Sequence, residues 1–136
     1  MKLVPSSHSA LRERSREVKF DEYSKLKKQK TKLLKFMHDV NGVGLAANQI
    51  GDCRRYFVWE KGIVINPEIV AYSPETTTQQ EGCLSFPGAS VWVTRAKTIF
   101  VEHKDENDCV VQCTYRGPEA RIFQHEVDHL NGICIV

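Results

Sequence analysis

Two histidines four residues apart, His125 and His129, bracket the run HEVDH. On a helix that spacing stacks both imidazoles on one face, where they can share a metal ion. Glu126, next to the first of them, is then placed to act as general base on a water activated there. A catalytic site of this kind usually has three protein ligands and one open position. Only Leu130, Asn131, Gly132, Ile133, Cys134, Ile135 and Val136 follow His129. None is His, Asp or Glu, and Cys134 falls in an expected strand just past the helix. The third ligand is therefore expected upstream, which argues against an ordinary zinc protease.

The best upstream candidate is Cys83, in EGCLSFPG (residues 81–88). It follows a polar loop and adjoins Gly82, which lets backbone approach a bound group closely. Burial as a small hydrophobe is the alternative, and the residue alone leaves both open. Cys53 sits in a charged stretch, DCRR, without such a setting. Cys109 and Cys113 share one face of an expected strand and read as buried small hydrophobes rather than a metal pair. A third segment, GVGLAANQIG (42–51), sets one polar side chain, Gln49, among small residues. Its amide suits donation to a developing oxyanion, although a Gly-Ala-rich turn alone reads as packing. No phosphate-loop Lys-Ser/Thr follows, so a nucleotide cradle is unsupported.

These groups need elements to hold them. Tyr23, Leu26, Leu33, Met37 and Val40 recur at helical steps, predicting an amphipathic helix with Asp21 as N-cap and Asn41-Gly42 as stop. The period then changes. YFVW (56–59) and GIVINP (62–67) read as a hairpin that EIVAY (68–72) extends, and SPETTTQQ (73–80) reads as loop. VWV (91–93), KTIFVEH (97–103) and CVVQCTY (109–115) are further strands, the last two joined by a polar turn. Pro118 and Glu119 open a second helix that ends near Asn131-Gly132, before a short β-type tail, ICIV. This order predicts an α+β fold: short, mostly antiparallel sheets around a C-terminal metal-binding helix, with an N-terminal amphipathic helix. No repeat, linker or boundary interrupts residues 1–136, so a single domain is expected.

Composition sets outer limits. With 136 residues, 41% hydrophobic and 26% charged, the chain can bury a core and is not a disordered polymer. No apolar run nears the roughly 18 residues of a membrane span, and the N-terminus lacks a secretory apolar stretch. Five cysteines, an odd number, point to a reducing compartment rather than a disulfide framework. The net charge of +2 conceals a local +6 over residues 12–35. That basic helix reads either as a solvated face or as an electrostatic contact for nucleic acid.

Together, GVGLAANQIG, EGCLS and QHEVDHLNG, in that order, closely resemble the three signature motifs of peptide deformylases. The lead-in VPSSHSALRERSREV resembles the family's as well, so the likeness covers the whole chain. The resemblance implies a metal-dependent hydrolase that removes the N-formyl group from the initiator methionine of new polypeptides, releasing formate. It matches Cys83, His125 and His129 to the metal ligands and Glu126 to the catalytic acid/base. Gln49 and the backbone N–H of Leu84 match the oxyanion donors, and Gly44 a backbone position that pairs with the extended substrate. Gln79, Phe86, Arg121 and Ile122 match positions near the substrate side-chain pocket, and are more polar than the family's aliphatic lining. The implied ion is Fe(II), with Ni, Co or Zn as substitutes.

Two departures stand out. Asn48 replaces a common proline, implying a looser loop. The chain stops four residues after Gly132, where many members continue into a C-terminal helix that in some touches the ribosome. The expected partners are N-formyl-methionyl peptides and, through the basic helix, the ribosome surface. The expected setting is the cytoplasm, an organelle matrix or an infected host's cytoplasm, with no membrane. The competing readings are a His-Glu-x-x-His metallopeptidase and an RNA-binding protein with a structural metal.

Overall fold

The computed structural model describes residues 1–136. Seven strands and two long helices alternate in sequence as α1 (Tyr23–Asp39), β1 (Gly44–Ala46), β2 (Tyr56–Trp59), β3 (Gly62–Tyr72), β4 (Thr76–Cys83), β5 (Phe86–Ala96), β6 (Thr98–Lys104), β7 (Val110–Arg116) and α2 (Gly117–Leu130). All strand pairing is antiparallel, apart from one isolated parallel bridge between Arg16 and Arg54. One sheet runs β1-β2-β3-β6-β7, and β4 and β5 form a separate two-stranded sheet. The fold is the α+β arrangement expected.

Strand β2 explains how the layers are built. Its four residues are all buried, because helices cover both faces of the sheet. Tyr56 and Val58 join Leu26, Leu33 and Met37 of α1 in one core. Phe57 and Trp59, alternating with them, join Phe123, Val127 and Leu130 of α2 in the other. There the aromatic rings meet edge-on, Trp59 with Tyr115 at 5.0 Å and Phe57 with Phe123 at 5.1 Å between centroids.

Several local expectations are corrected. Residues 76–80 are strand rather than loop: Thr76, Thr77 and Thr78 pair with Ala96, Arg95 and Thr94, and β-branched threonine suits that role despite its polarity. The segment GLA within the first motif is also a strand. Phe20–Glu22 make a 3₁₀ turn ahead of α1, and Glu22, not Asp21, reaches back to accept from the Lys19 N–H at 2.9 Å. The ICIV tail forms no strand, and Cys109 is exposed just ahead of β7.

Candidate active site

The β4–β5 hairpin delivers Cys83 at its tight end, and the buried side of α2 delivers His125 and His129. One ligand atom from each of the three lies within 4.8 Å of the others. Cys83 Sγ is 3.2 Å from His129 Nε2, and the two imidazole rings stand 4.9 Å apart, edge to face. A thiolate with two imidazoles is a donor set for a borderline or soft transition metal rather than for calcium or magnesium.

The surroundings fit a cation. His125 Nδ1 is 2.9 Å from Glu81 Oε1, an acceptor that fixes the ring and leaves Nε2 free to ligate. Burial would lower the His125 pKa, but hydrogen bonds to Cys83 and Glu81 outweigh it and push it up to about 10. Without an ion this ring holds a proton between Cys83 and Glu81, and metal binding there would release it. Burial drives His129 the other way, down to about 3, so its imidazole is neutral and available. Cys83, His125 and His129 suit a divalent transition-metal ion by donor chemistry and by the convergence of their ligand atoms.

Glu81 itself is buried and heavily paired. Arg95 donates to both its oxygens, at 2.6 and 2.9 Å, and reaches Asp128 at 2.8 Å with its remaining arm. Arg121 donates to Glu81 Oε2 as well. Burial alone would raise the Glu81 pKa, but the bonds from His125 and Arg95 hold it well below the usual carboxylate range.

Glu126, next to His125 on α2, makes none of the side-chain hydrogen bonds around Glu81. It is 3% exposed, and burial pushes its carboxyl up to about 7. Its Oε1 has no hydrogen-bond partner, which leaves a proton acceptor free at near-neutral pH. Gln49 is buried as well, with Oε1 accepting from the Ala46 N–H and Nε2 donating to Ser85 Oγ, both at 3.0 Å. The same Nε2 lies 3.8 Å from Cys83 Sγ. Pinned at both ends, this amide has one orientation.

A cleft of about 670 Å³ opens over these groups. Gly44, Gln49, Cys83, Leu84, Phe86, Ile122, His125 and Glu126 all line it, while His129 lies behind them at 1% exposure. Of the other two residues matched to the side-chain pocket, Arg121 also lines the cleft and Gln79 does not. Gln79 is exposed and away from the cleft, and the Arg121 guanidinium is spent on Glu81 and on strand backbone. Asn48 is pinned rather than loose, its Nδ2 donating to the carbonyls of His129 at 2.5 Å and Ala10 at 3.2 Å. Glu81, Ser85 and Arg95 went unrecognised in the sequence. Glu81 and Ser85 flank Cys83 closely enough to have been suspected; Arg95 carries no local signal.

Comparison with known proteins gives a consistent answer. The family model described as polypeptide deformylase matches residues 1–136. A peptide deformylase of Thermotoga maritima is 45% identical over 131 residues, covering 93% of this chain and 79% of its own length. The crystal structure of peptide deformylase from Thermotoga maritima aligns with a TM-score of 0.91 at 42% identity, over 98% of this chain and 93% of that one. PDF from the Vibrio parahaemolyticus bacteriophage VP16T, solved in complex with actinonin, aligns with a TM-score of 0.93 at 34% identity, over 99% of this chain and 100% of that one.

Proposed function

The chain belongs to the polypeptide deformylase family, and from that premise we propose which of its residues carry the reaction. The activity is that of a metal-dependent hydrolase: it removes the N-formyl group of nascent polypeptides. Water adds to the formyl carbon, the C–N bond breaks, and formate leaves the free amine behind.

Cys83, His125 and His129 hold one divalent ion, which when bound supplies Lewis acidity toward the formyl oxygen and makes a neighbouring water acidic. Glu126 takes the proton from the attacking water and returns it to the leaving amine. Its burial supports this, because a carboxyl raised to about 7 is matched to proton transfer near neutral pH. The Gln49 amide and the Leu84 N–H donate to the oxygen on which charge develops, and Ser85 keeps the amide aimed. Gly44, bare of a side chain at the cleft wall, leaves its backbone open to an extended peptide. Phe86 and Ile122 supply apolar wall for the substrate's first side chain.

The ion is assigned as Fe(II), with nickel, cobalt and zinc able to use the same thiolate and imidazole donors. Residues 1–136 are read as a single catalytic domain, because both cores share strand β2. A weak electrostatic contact between α1 and the ribosome is retained in reduced form. Lys30 and Lys35 pair with Glu106 and Asp39, and Lys27 donates to the neutral Asn107, which leaves Lys25, Lys27, Lys28 and Lys32 without a carboxylate partner. The setting is the compartment in which formylated chains are made, read as cytoplasm; no helix is long and apolar enough to cross a membrane.

The observation that carries this reading is the convergence of Glu126, Gln49 and the three-residue donor set on one cleft. Anaerobically purified protein, analysed for metal, should release formate from formyl-Met-peptides without cutting the backbone. New peptide termini would indicate a metallopeptidase instead and overturn the assignment.

A further inference from the structure

The ligand set is divided between two pieces of structure. Cys83 belongs to the separate β4–β5 sheet, and both histidines belong to α2. Their mutual placement therefore depends on what ties hairpin to helix. Arg95, on the hairpin, bonds Glu81 twice within it and crosses once, to Asp128 at 2.8 Å, and Gln124 of α2 bonds the Ala96 backbone of β5. Arg121, in the second turn of α2, makes the most such ties from one side chain: every one of its hydrogen bonds crosses. Nη1 donates to Glu81 Oε2 and, at 3.1 Å, to the Val93 carbonyl. Nη2 donates to the Thr77 carbonyl at 2.9 Å and to Thr77 Oγ1 at 3.1 Å. One guanidinium thus grips β4 at two points and β5 at a third, and the carboxylate it holds is the one that orients His125.

We propose that Arg121 is a positioning residue for the metal-ligand set, clamping the Cys83 hairpin to α2 and fixing the ring orientation of His125 through Glu81. This rests on the reading of Cys83, His125 and His129 as ligands. The planar fork explains why arginine occupies the position: lysine offers one point of attachment and cannot reach three carbonyl or carboxylate partners at once. It also gives a cleft-lining cation a task that does not involve substrate, since both its terminal amino groups are already engaged.

The test is cobalt(II) binding by the parent protein, Arg121→Met and Arg121→Lys, read by chelator competition and by the cobalt absorption spectrum. Thermal unfolding and amide exchange of residues 81–84 in the metal-free proteins accompany it. Loss of a partner of this kind typically weakens metal binding about 10–100-fold. Arg121→Met should fall in that range, with a shifted spectrum and faster exchange along β4, and Arg121→Lys should lie between it and the parent. Should Arg121→Met fold too poorly to titrate, Arg121→Lys alone must still show weakened binding. Parental affinity and spectrum in the variants, even with a lowered melting temperature, would reduce Arg121 to a stabilising contact and overturn the proposal. A parent protein that binds no cobalt would sink the ligand assignment and the proposal with it.

Discussion

Gly44 lies so close to Glu126 that a Cβ built on it would sit 2.6 Å from the carboxylate Oε2 and 2.9 Å from its carbon. Both residues are buried, Gly44 in the short strand β1 and Glu126 on α2, so neither can give way into solvent. A methyl group here would displace the carboxylate from its place in the cleft wall. Misplacement of a catalytic group by about 1 Å can cost about 10²-fold. Gly44→Ala should therefore lose turnover on that scale while keeping its metal, and a variant with parental turnover would show that Glu126 needs no such exact seat.

Glu126→Gln separates chemistry from architecture. The amide matches the carboxylate in shape but cannot carry the proton, and general acid–base catalysis is typically worth ~10²–10⁴-fold. Turnover should fall by about that factor, with metal content intact and Michaelis constants moving far less. Near-normal turnover in a metal-loaded variant would remove Glu126 from the proton transfer.

Removing a ligand should have a different signature. Cys83→Ala and His129→Ala should lose metal and activity together, whereas Cys53→Ala, at an exposed site outside the cleft, should keep both. The iron-loaded protein should also lose activity in air faster than the nickel form, since oxidation of Cys83 removes a thiolate donor. Metal analysis and timed assays in air check both points; equal metal affinity in Cys83→Ala and Cys53→Ala would dismiss Cys83 as a ligand.

A pH effect is expected well away from the cleft. Asp52 accepts from the Arg54 backbone and side chain and, at 2.9 Å, from the Tyr56 hydroxyl. Burial would raise its pKa, but the bonds from Arg54 and Tyr56 outweigh it and hold it below its ordinary 3.8. Its contribution is therefore present above that ordinary value and is lost as pH falls through the lowered one. Hydrogen bonds to a charged group contribute about 2 kcal/mol. Asp52→Asn should be destabilised by about that much at pH 7, and denaturation at falling pH should show the gap to the parent closing below about 3.8. A gap independent of pH would leave packing as its source.

What could be read from the sequence was what is encoded locally. The four-residue spacing of His125 and His129, with Pro118 in the first turn, announces a helix with both rings on one face. The apolar run YFVW is a strand buried on both faces, as helices α1 and α2 require. Strand β4 was missed because its alternation is polar: Thr77 and Glu81 face Arg121, not a hydrophobic core. Glu81 adjoins the Cys83 segment, but its partner was hidden, since His125 lies 44 residues along the chain and only folding brings them together. Asn48 was expected to loosen a loop that a proline would stiffen. Its amide instead bonds the end of α2, a long-range contact invisible to any local rule.

The chain's two tryptophans occupy opposite environments. Trp59 is 1% exposed among the rings packed under α2, and Trp92 is 70% exposed on the outer face of β5. Their emission should therefore separate, blue-shifted and shielded for the first, red-shifted and open to collisional quenching by iodide for the second. The molecule thus contains two optical reporters, one for the interior on which the histidine helix rests and one for the hairpin that carries the thiol. Iodide silences only the second, so movement of the hairpin can be followed in light against an unchanging internal reference.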